Sequence, residues 1–262
     1  MKETCNLGQK VLGDFHGIRA KVINHDVWGL PSNALELRFP ETRNVLSGRQ
    51  GFRRVDAVFN CYLPDALWPL IHRKGEHAEK YTRDAVRATA GNEVKTSRAA
   101  TLLTGVTMDH LAWAEEQYED IWVVVFATAG VKTNALRIGV DTAGGRERNG
   151  QYEKIGTINT IVATSARMSQ AAMAASFITV TEAKVIVMED MNIRSVYTPS
   201  VQASGTGTDQ IVVVSGLGDR AKYVGGHTKL GELMGRATTR AIRAALETRF
   251  AAEAKHLKEN GL

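Results

Sequence analysis

The sequence of 262 residues is poor in cysteine and has two of them, Cys5 and Cys61, which lie far apart outside any C-x-x-C pattern. This excludes a disulfide framework and a zinc site built from thiolates, and it is consistent with a reducing compartment. The N-terminal residues 1–6 lack the apolar core of a signal peptide. The longest strongly apolar run, Ile121 to Val131, is too short to cross a bilayer. We therefore predict a cytoplasmic protein that has no membrane partner.

The chain has no large excess of charge of one sign, since 33 cationic residues stand against 28 anionic ones along its length. A local excess occurs in the last predicted helix, at Arg236, Arg240 and Arg243. Such a pattern is typical of a solvated helix face, and the alternative is a patch for nucleic acid or anionic lipid. Zinc-finger spacing, RNA-binding signatures and arginine-rich arms are absent, so we predict no nucleic-acid partner.

Several motifs of common enzyme classes are also missing. There is no Walker loop and no dinucleotide fingerprint, no Gly-x-Ser-x-Gly elbow and no His-Glu-x-x-His. These absences argue against a nucleotide-phosphate site, a hydrolase-type serine nucleophile and a zinc protease site. We predict no metal site and no cofactor.

The hydrophobic pattern predicts both strands and helices. Alternation in the first fifty residues indicates hairpins, and the regions predicted as further strands are Val55–Leu63, Ala99–Val106, Ile121–Thr128, Ile155–Thr164, Val185–Met188 and Ile211–Val214. The regions predicted as helices are Asp65–Ala90, Met108–Glu119, a helix capped by Ser169 and a long helix that begins at Thr228. We predict an α+β fold, a layered α/β sandwich with a mixed sheet in a single domain.

Polar residues and glycines cluster at the ends of several apolar runs, where a scaffold usually holds functional groups. Amide hydrolysis requires an activated nucleophile, a proton donor for the departing amine and a stabiliser of the oxyanion. His227 with a carboxylate, Asp209 or Glu232, has the residue types of a base and its orienter. Lys229, backbone N–H groups, Asn134 and Asn159 are candidates for stabilising the oxyanion. The alternative is that His227 only begins a helix and that Asp209 only caps a turn.

Five sequence blocks resemble those of one known family. They occur in family order, and they are Thr-Ala-Gly with Asn-Ala (Thr128–Gly130, Asn134–Ala135), Gly-Thr-Ile-Asn (Gly156–Asn159), Thr-Glu-Ala-Lys (Thr181–Lys184), Gly-Thr-Gly-Thr-Asp (Gly205–Asp209) and His-Thr-Lys-Leu-Gly-Glu (His227–Glu232). Together they resemble the adenosylcobinamide amidohydrolase family. The chain departs from the pattern at Ser165, Gly226 and Gly139–Asp141, which keeps Ser165 and Asp141 out of the predicted site.

The resemblance implies hydrolysis of the amide that joins aminopropanol to the corrin ring of adenosylcobinamide, giving adenosylcobyric acid for cobamide (vitamin B12) salvage. The cobalt then belongs to the corrinoid substrate. Residues 51–250 would form the amidohydrolase domain, with residues 1–50 as hairpin-like strands packed on it and residues 251–262 as a tail. The alternatives are a corrinoid-binding or carrier protein without catalysis and a different amidase or transferase on the same scaffold. Formation of a homo-oligomer is left open.

The resemblance assigns no roles to individual residues, so the roles come from chemistry. The predicted catalytic residues are His227, Asp209, Glu232 and Lys229. A corrinoid is a broad apolar disc rimmed by amides, so its pocket needs hydrogen-bonding groups. The residues predicted to contact that rim are Thr128, Asn134, Thr157, Asn159 and Thr206.

Overall fold

The computed structural model describes residues 6–73, 76–142 and 157–259. Contacts between residues divide the chain into two compact units, one of residues 1–108 with 142–155 and one of residues 109–141 with 156–262. Strands and helices occur in both. The predicted α+β class, with mixed sheets layered against helices, is confirmed. The predicted boundary at residue 50 stays a prediction, and strands on either side of it pair with each other.

Among the described residues, the first unit contains five strands and two α-helices. They are β1 (Asn6–Phe15), β2 (Ile18–Val27), β3 (Leu30–Ser47), β4 (Gly51–Tyr62), α1 (Trp68–Arg73), α2 (Glu76–Ala90) and β5 (Ala99–Thr104). Strands β1 to β4 pair antiparallel in chain order, as the alternation in the first fifty residues predicts. Strand β5 then pairs parallel with β4. The crossover that a parallel pair requires is supplied by α1 and α2.

The core of this unit lies between its helices and its sheet. Tyr81 and Ala85 of α2 pack with Phe59 and Cys61 of β4, and all four side chains are buried. Burial raises the pKa of the Cys61 thiol to about 12. Cys61 is therefore a small core residue with no thiolate character at neutral pH.

The described part of the second unit contains six strands and two long helices. They are β6 (Ala112–Tyr118), β7 (Ile121–Ala129), β8 (Ile158–Thr164), β9 (Arg167–Met168), α3 (Gln170–Asp190), β10 (Gln210–Val214), β11 (Arg220–Ala221) and α4 (Lys229–Glu259). Strands β6, β7 and β8 pair antiparallel, and β10 pairs parallel with β8. Helix α4 packs on β6 and β7 and against α3, which forms a helical layer on this sheet. The long helix predicted after Thr228 is confirmed.

Two sequence predictions in this unit are wrong. Residues 108–119, predicted as a helix, form one short 3-10 turn and then strand β6, in which buried Ala112 and Ala114 alternate with more exposed residues. Val185–Met188, predicted as a strand, lies inside α3. A run of four β-branched and apolar residues is too short to show whether its hydrophobic period is that of a strand or a helix. Here the helix that Ser169 caps continues through the run, because the buried residues of α3 pack against α4 and β10.

Helix α3 is apolar around most of its circumference. Of the helices that the structure describes, it is the one long and apolar enough to span a membrane, judged by length and composition alone. About 44% of its most apolar window is buried inside the protein, and core helices of soluble proteins have the same character. The cytoplasmic location stays a prediction.

Candidate active site

A largely buried carboxylate ties together the loops at one end of β8 and β10. Oδ2 of Asp209 accepts hydrogen bonds from Nζ of Lys184 at 2.5 Å and from the backbone N–H of Thr206 at 3.2 Å. Its Oδ1 accepts from the backbone N–H of Ile158 at 3.0 Å and from the Thr206 hydroxyl. Lys184 and Asp209 expose 13% and 15% of their side chains. Both carboxylate oxygens are therefore engaged by protein groups that link α3, β8 and the loop before β10.

Because Gly205 has no side chain, the Lys184–Asp209 ion pair can lie directly against its Cα atom. A Cβ atom at this position would lie 2.4 Å from Oδ2 of Asp209 and 2.6 Å from Nζ of Lys184. Real Cβ contacts are not that short, so another residue here would displace the pair. The first glycine of the Gly-Thr-Gly-Thr-Asp block therefore has a packing reason.

The five residues predicted to contact the corrinoid rim lie around the same end of the sheet. Thr128 pairs with Asn159 across β7 and β8. Nδ2 of Asn134 donates to the carbonyl of Thr206 at 3.0 Å. The Thr157 hydroxyl donates to the carbonyl of Thr208 at 2.7 Å and lies 3.1 Å from Oδ1 of Asn159. We call these residues, with Lys184 and Asp209, the Asp209 cluster.

Burial characterises the rim residues of the Asp209 cluster. Thr128, Asn134, Thr157, Asn159 and Thr206 have relative exposures between 0% and 6%. Buried polar groups of this kind stabilise a fold when they are hydrogen-bonded. The structure thus brings the five together, and their part in substrate contact stays a prediction. Gly156, the first residue of the Gly-Thr-Ile-Asn block, lies outside the described residues.

A second group of polar side chains surrounds the start of α4. The Thr228 hydroxyl accepts a hydrogen bond from the backbone N–H of Gly231 at 3.1 Å and caps the helix. A Cβ atom at Gly231 would lie 2.1 Å from the Gly225 carbonyl oxygen, so the glycine allows the loop to fold back onto the helix. His227 is exposed and its ring lies 6.2 Å from the Tyr223 ring. The imidazole is therefore open to solvent at a helix N-terminus.

Lys229 and Glu232 form an ion pair in the first turn of α4. Nζ of Lys229 lies 2.6 Å from Oε2 of Glu232, and Nη2 of Arg236 lies 2.9 Å from Oε1. The hydrogen bond from Lys229, with the charge of Arg236, lowers the pKa of Glu232. Nζ of Lys229 also lies 4.6 Å from the centre of the Tyr118 ring. We call Tyr118, Tyr223, His227, Lys229 and Glu232 the His227 cluster.

The two clusters lie at opposite ends of the sheet of the second unit. Asp209 binds the N–H of Ile158, the first residue of β8. Lys229 lies on Tyr118, which pairs with Ile121, and the neighbouring Val123 pairs with Thr164 at the last residue of β8. The six residue steps of β8 separate the clusters by about 20 Å. Asp209 therefore does not orient His227, whereas Glu232 lies in the same cluster.

The comparisons with known proteins agree with the five sequence blocks. A model of the family described as adenosylcobinamide amidohydrolase matches residues 20–254. The chain belongs to the adenosylcobinamide amidohydrolase family. That match covers both the Asp209 cluster and the His227 cluster.

Curated relatives extend over most of the chain. An uncharacterized protein of Methanocaldococcus jannaschii is 38% identical over 226 residues, which are 82% of this chain and 86% of the relative. A protein of Methanosarcina mazei named adenosylcobinamide amidohydrolase is 29% identical, and the match covers 78% of this chain and 90% of that protein. A protein of Halobacterium salinarum with the same name is 28% identical, and the match covers 85% of this chain and 88% of that protein. A solved structure of a Pyrococcus horikoshii protein is 11% identical, covers 83% of this chain and 78% of its own, and has a TM-score of 0.44.

Sequence reasoning missed three side chains that the structure adds to these clusters of the amidohydrolase fold. Lys184 stands in the Thr-Glu-Ala-Lys block, so the motif itself carried a signal for it. Tyr118 of β6 carried none, because it meets Lys229 only in three dimensions. Tyr223 stands close before His227 in the chain, so its position was visible in the sequence although its ring contact was not. Tyr118 and Tyr223 are 46% and 60% exposed, so their rings offer apolar surface beside Lys229 and His227 respectively.

Two of the three departures from the family pattern, at Asp141 and Ser165, have structural partners. Oδ2 of Asp141 accepts from the Ser195 hydroxyl and from the N–H of Arg137, both at 2.6 Å, and Oδ1 accepts from the Thr198 hydroxyl at 2.6 Å. These hydrogen bonds lower the pKa of Asp141, that from Ser195 most. Oγ of Ser165 accepts from the N–H of Trp122 at 3.1 Å. Both side chains hold loops together.

Within residues 6–73, 76–142 and 157–259, no group of three or more His, Cys, Asp or Glu side chains is placed to hold a metal ion. The expectation that the protein has no metal or cofactor of its own stays a prediction.

Proposed function

We propose that this chain hydrolyses the amide that joins aminopropanol to the corrin ring of adenosylcobinamide. The C–N bond breaks, water supplies the oxygen of the new carboxyl group, and the products are adenosylcobyric acid and aminopropanol. Family membership supports an amidohydrolase acting on a corrinoid. The role in cobamide salvage and the cytoplasmic location belong to the same proposal.

The observation that carries the proposal is the exposed His227 beside the Lys229–Glu232 pair. In this proposal His227 removes a proton from the attacking water and returns one to the departing amine nitrogen. Lys229 and the positive end of the α4 helix dipole stabilise the oxyanion of the tetrahedral intermediate. Glu232 holds the Lys229 ammonium at 2.6 Å and thereby fixes its position.

The surroundings of His227 suit a wide substrate. A corrinoid is far too broad for a narrow cavity, and its faces are mostly apolar. The exposed rings of Tyr118 and Tyr223 lie near the α4 N-terminus, next to Lys229 and His227 respectively. Contact of an apolar face with these rings would leave an amide of the rim near the imidazole.

The Asp209 cluster has a supporting role in this proposal. Its carboxylate is occupied by four donors, and its amides and hydroxyls are buried. Direct contact with a corrinoid would require its loops to open. The cluster instead holds the ends of β7, β8 and β10 and thereby sets the geometry of the scaffold.

Incubation of the purified chain with adenosylcobinamide, followed by mass spectrometry, tests the proposal. Release of both adenosylcobyric acid and aminopropanol is the expected result. Binding of the corrinoid without release of aminopropanol would support the carrier alternative, and release of an amine from an unrelated amide alone would support a different amidase.

A further inference from the structure

The first unit contains a polar cavity that the proposed function does not use. It has a volume of about 240 Å³ and is lined by residues from the start of β4, from α2, from the turn before β5 and from β5 itself. The side chains that matter here are Arg53, Glu79, Arg83, Thr96, Ser97 and Thr101. Ligand pockets for drug-sized molecules begin at about 300 Å³. The cavity is therefore too small for a corrinoid and suits a small group.

The charges at this cavity leave two guanidinium groups available. Glu79 is paired with Arg49, whose Nη2 lies 3.1 Å from its Oε1, and Nη1 of Arg49 also donates to the Thr101 hydroxyl at 3.0 Å. In the part of the chain that the structure describes, neither Arg53 nor Arg83 has a carboxylate partner. The local balance is therefore three cations against one anion, and the excess belongs to Arg53 and Arg83.

The donors around this excess charge match a tetrahedral oxyanion. Each guanidinium presents parallel N–H groups that bind two oxygens of one phosphate. The hydroxyls of Thr96 and Ser97 on the turn before β5 add neutral donors. A carboxylate has two oxygens for these groups, whereas a phosphate group has three or four.

We propose that this cavity binds a phosphate group, either as inorganic phosphate or as the end of a phosphomonoester. Arg53 and Arg83 supply the charge, and Ser97 contributes a hydroxyl. The Arg49 guanidinium is already engaged by Glu79 and Thr101, two residues of the cavity wall, and holds them in place. The inference goes beyond the proposed amide hydrolysis and does not depend on it.

Calorimetric titration of the full chain with inorganic phosphate and, separately, with glycerol phosphate tests the proposal at constant ionic strength. Binding is expected, and Arg53→Gln and Arg83→Gln should each raise Kd about ten-fold or more, as expected for loss of a charge-assisted hydrogen bond. Ser97→Ala should raise it less. Binding of glycerol phosphate alone would assign the site to phosphomonoesters.

Arg87→Gln is the matched control. Arg87 lies on the same helix, but its guanidinium is 3.5 Å from Asp84 and it does not line the cavity. The control variant should bind as the wild type does. Absence of binding for both probes, or an equal loss in the Arg87 variant, would overturn the proposal. Circular dichroism of each variant ensures that a change in Kd is not a change in folding.

Discussion

The Lys184 ammonium and the Asp209 carboxylate form the tightest ion pair of the Asp209 cluster, at 2.5 Å, although they stand 25 residues apart in the chain. The pair joins the middle of α3 to the loop that enters β10. Its carboxylate also binds the first N–H of β8. A helix and two parallel strands are therefore held by one carboxylate.

Lys184→Met tests how much this pair stabilises the fold. The substitution leaves a largely buried carboxylate without its cation, so the free energy of unfolding should fall by about 3 kcal/mol. Urea unfolding measures it. Lys255→Met is the control, because Lys255 and Glu259 are 77% and 62% exposed and their pair should contribute less than about 0.5 kcal/mol. Equal effects of the two substitutions would contradict a structural role for the Lys184–Asp209 pair.

Two glycines of α4 should respond to alanine in opposite ways. Gly231→Ala places a methyl group 2.1 Å from the Gly225 carbonyl oxygen, which should destabilise the protein by about 2 kcal/mol as the loop is displaced. Gly235→Ala meets no atom within 4 Å and should stabilise the helix by about 0.5–1 kcal/mol. Thermal unfolding of both variants compares them. Stabilisation by alanine at Gly231 would show that the loop does not approach the helix as described.

His227→Ala should abolish most of the turnover of adenosylcobinamide without affecting stability. Removal of a general base lowers kcat by about 100-fold or more, while an exposed side chain contributes little to folding. The assay is release of aminopropanol, with corrinoid binding measured in parallel. His256→Ala, an exposed histidine near the other end of α4, should keep wild-type turnover. Full activity in the His227 variant would remove His227 from the catalytic role.

Asp209→Asn distinguishes the two clusters. Because Asp209 lies about 20 Å from the His227 cluster along β8, its loss should lower the free energy of unfolding while leaving the pH profile of kcat unchanged. Glu232→Gln should shift the pH profile of kcat while leaving the free energy of unfolding nearly unchanged, because it releases Lys229 at the α4 N-terminus. A shifted pH profile in the Asp209 variant would show that Asp209 acts on the reacting groups.

His25 should make the stability depend on pH. Burial lowers the pKa of His25, against the raising effect of its hydrogen bond to the Ile23 carbonyl, while the unfolded chain titrates near 6.5. At a pH between the pKa of His25 in the folded protein and its pKa in the unfolded chain, the unfolded state binds more protons than the folded state. The stabilisation is therefore complete above about pH 6.5 and is lost as pH falls through the folded pKa.

Urea unfolding between pH 5 and pH 7.5 measures this effect. His25→Gln should flatten the slope, but not completely, because burial also lowers the pKa of His110. His256→Gln, an exposed substitution, should leave the slope as it is. An unchanged slope in the His25 variant would mean that this histidine does not remain neutral in the folded protein.

The sequence by itself determined the fold class, most of the strands, the N-cap at Ser169 and the start of the long last helix. These features depend on local period and capping, which neighbours in the chain decide. The family blocks were also local in sequence. They contain every member of the Asp209 cluster, although they did not indicate that Lys184 pairs with Asp209.

The tertiary structure decided what depends on distant neighbours. Val185–Met188 continues a helix because α4 and β10 cover its buried side, and residues 112–118 form a strand because β7 pairs with them. The separation of Asp209 from His227 follows from strand register, and Tyr118 of β6 reaches Lys229 of α4 through a contact between elements. Hydrophobic period specifies which face of an element is buried, but the partner of that face is chosen by packing and register across the whole chain.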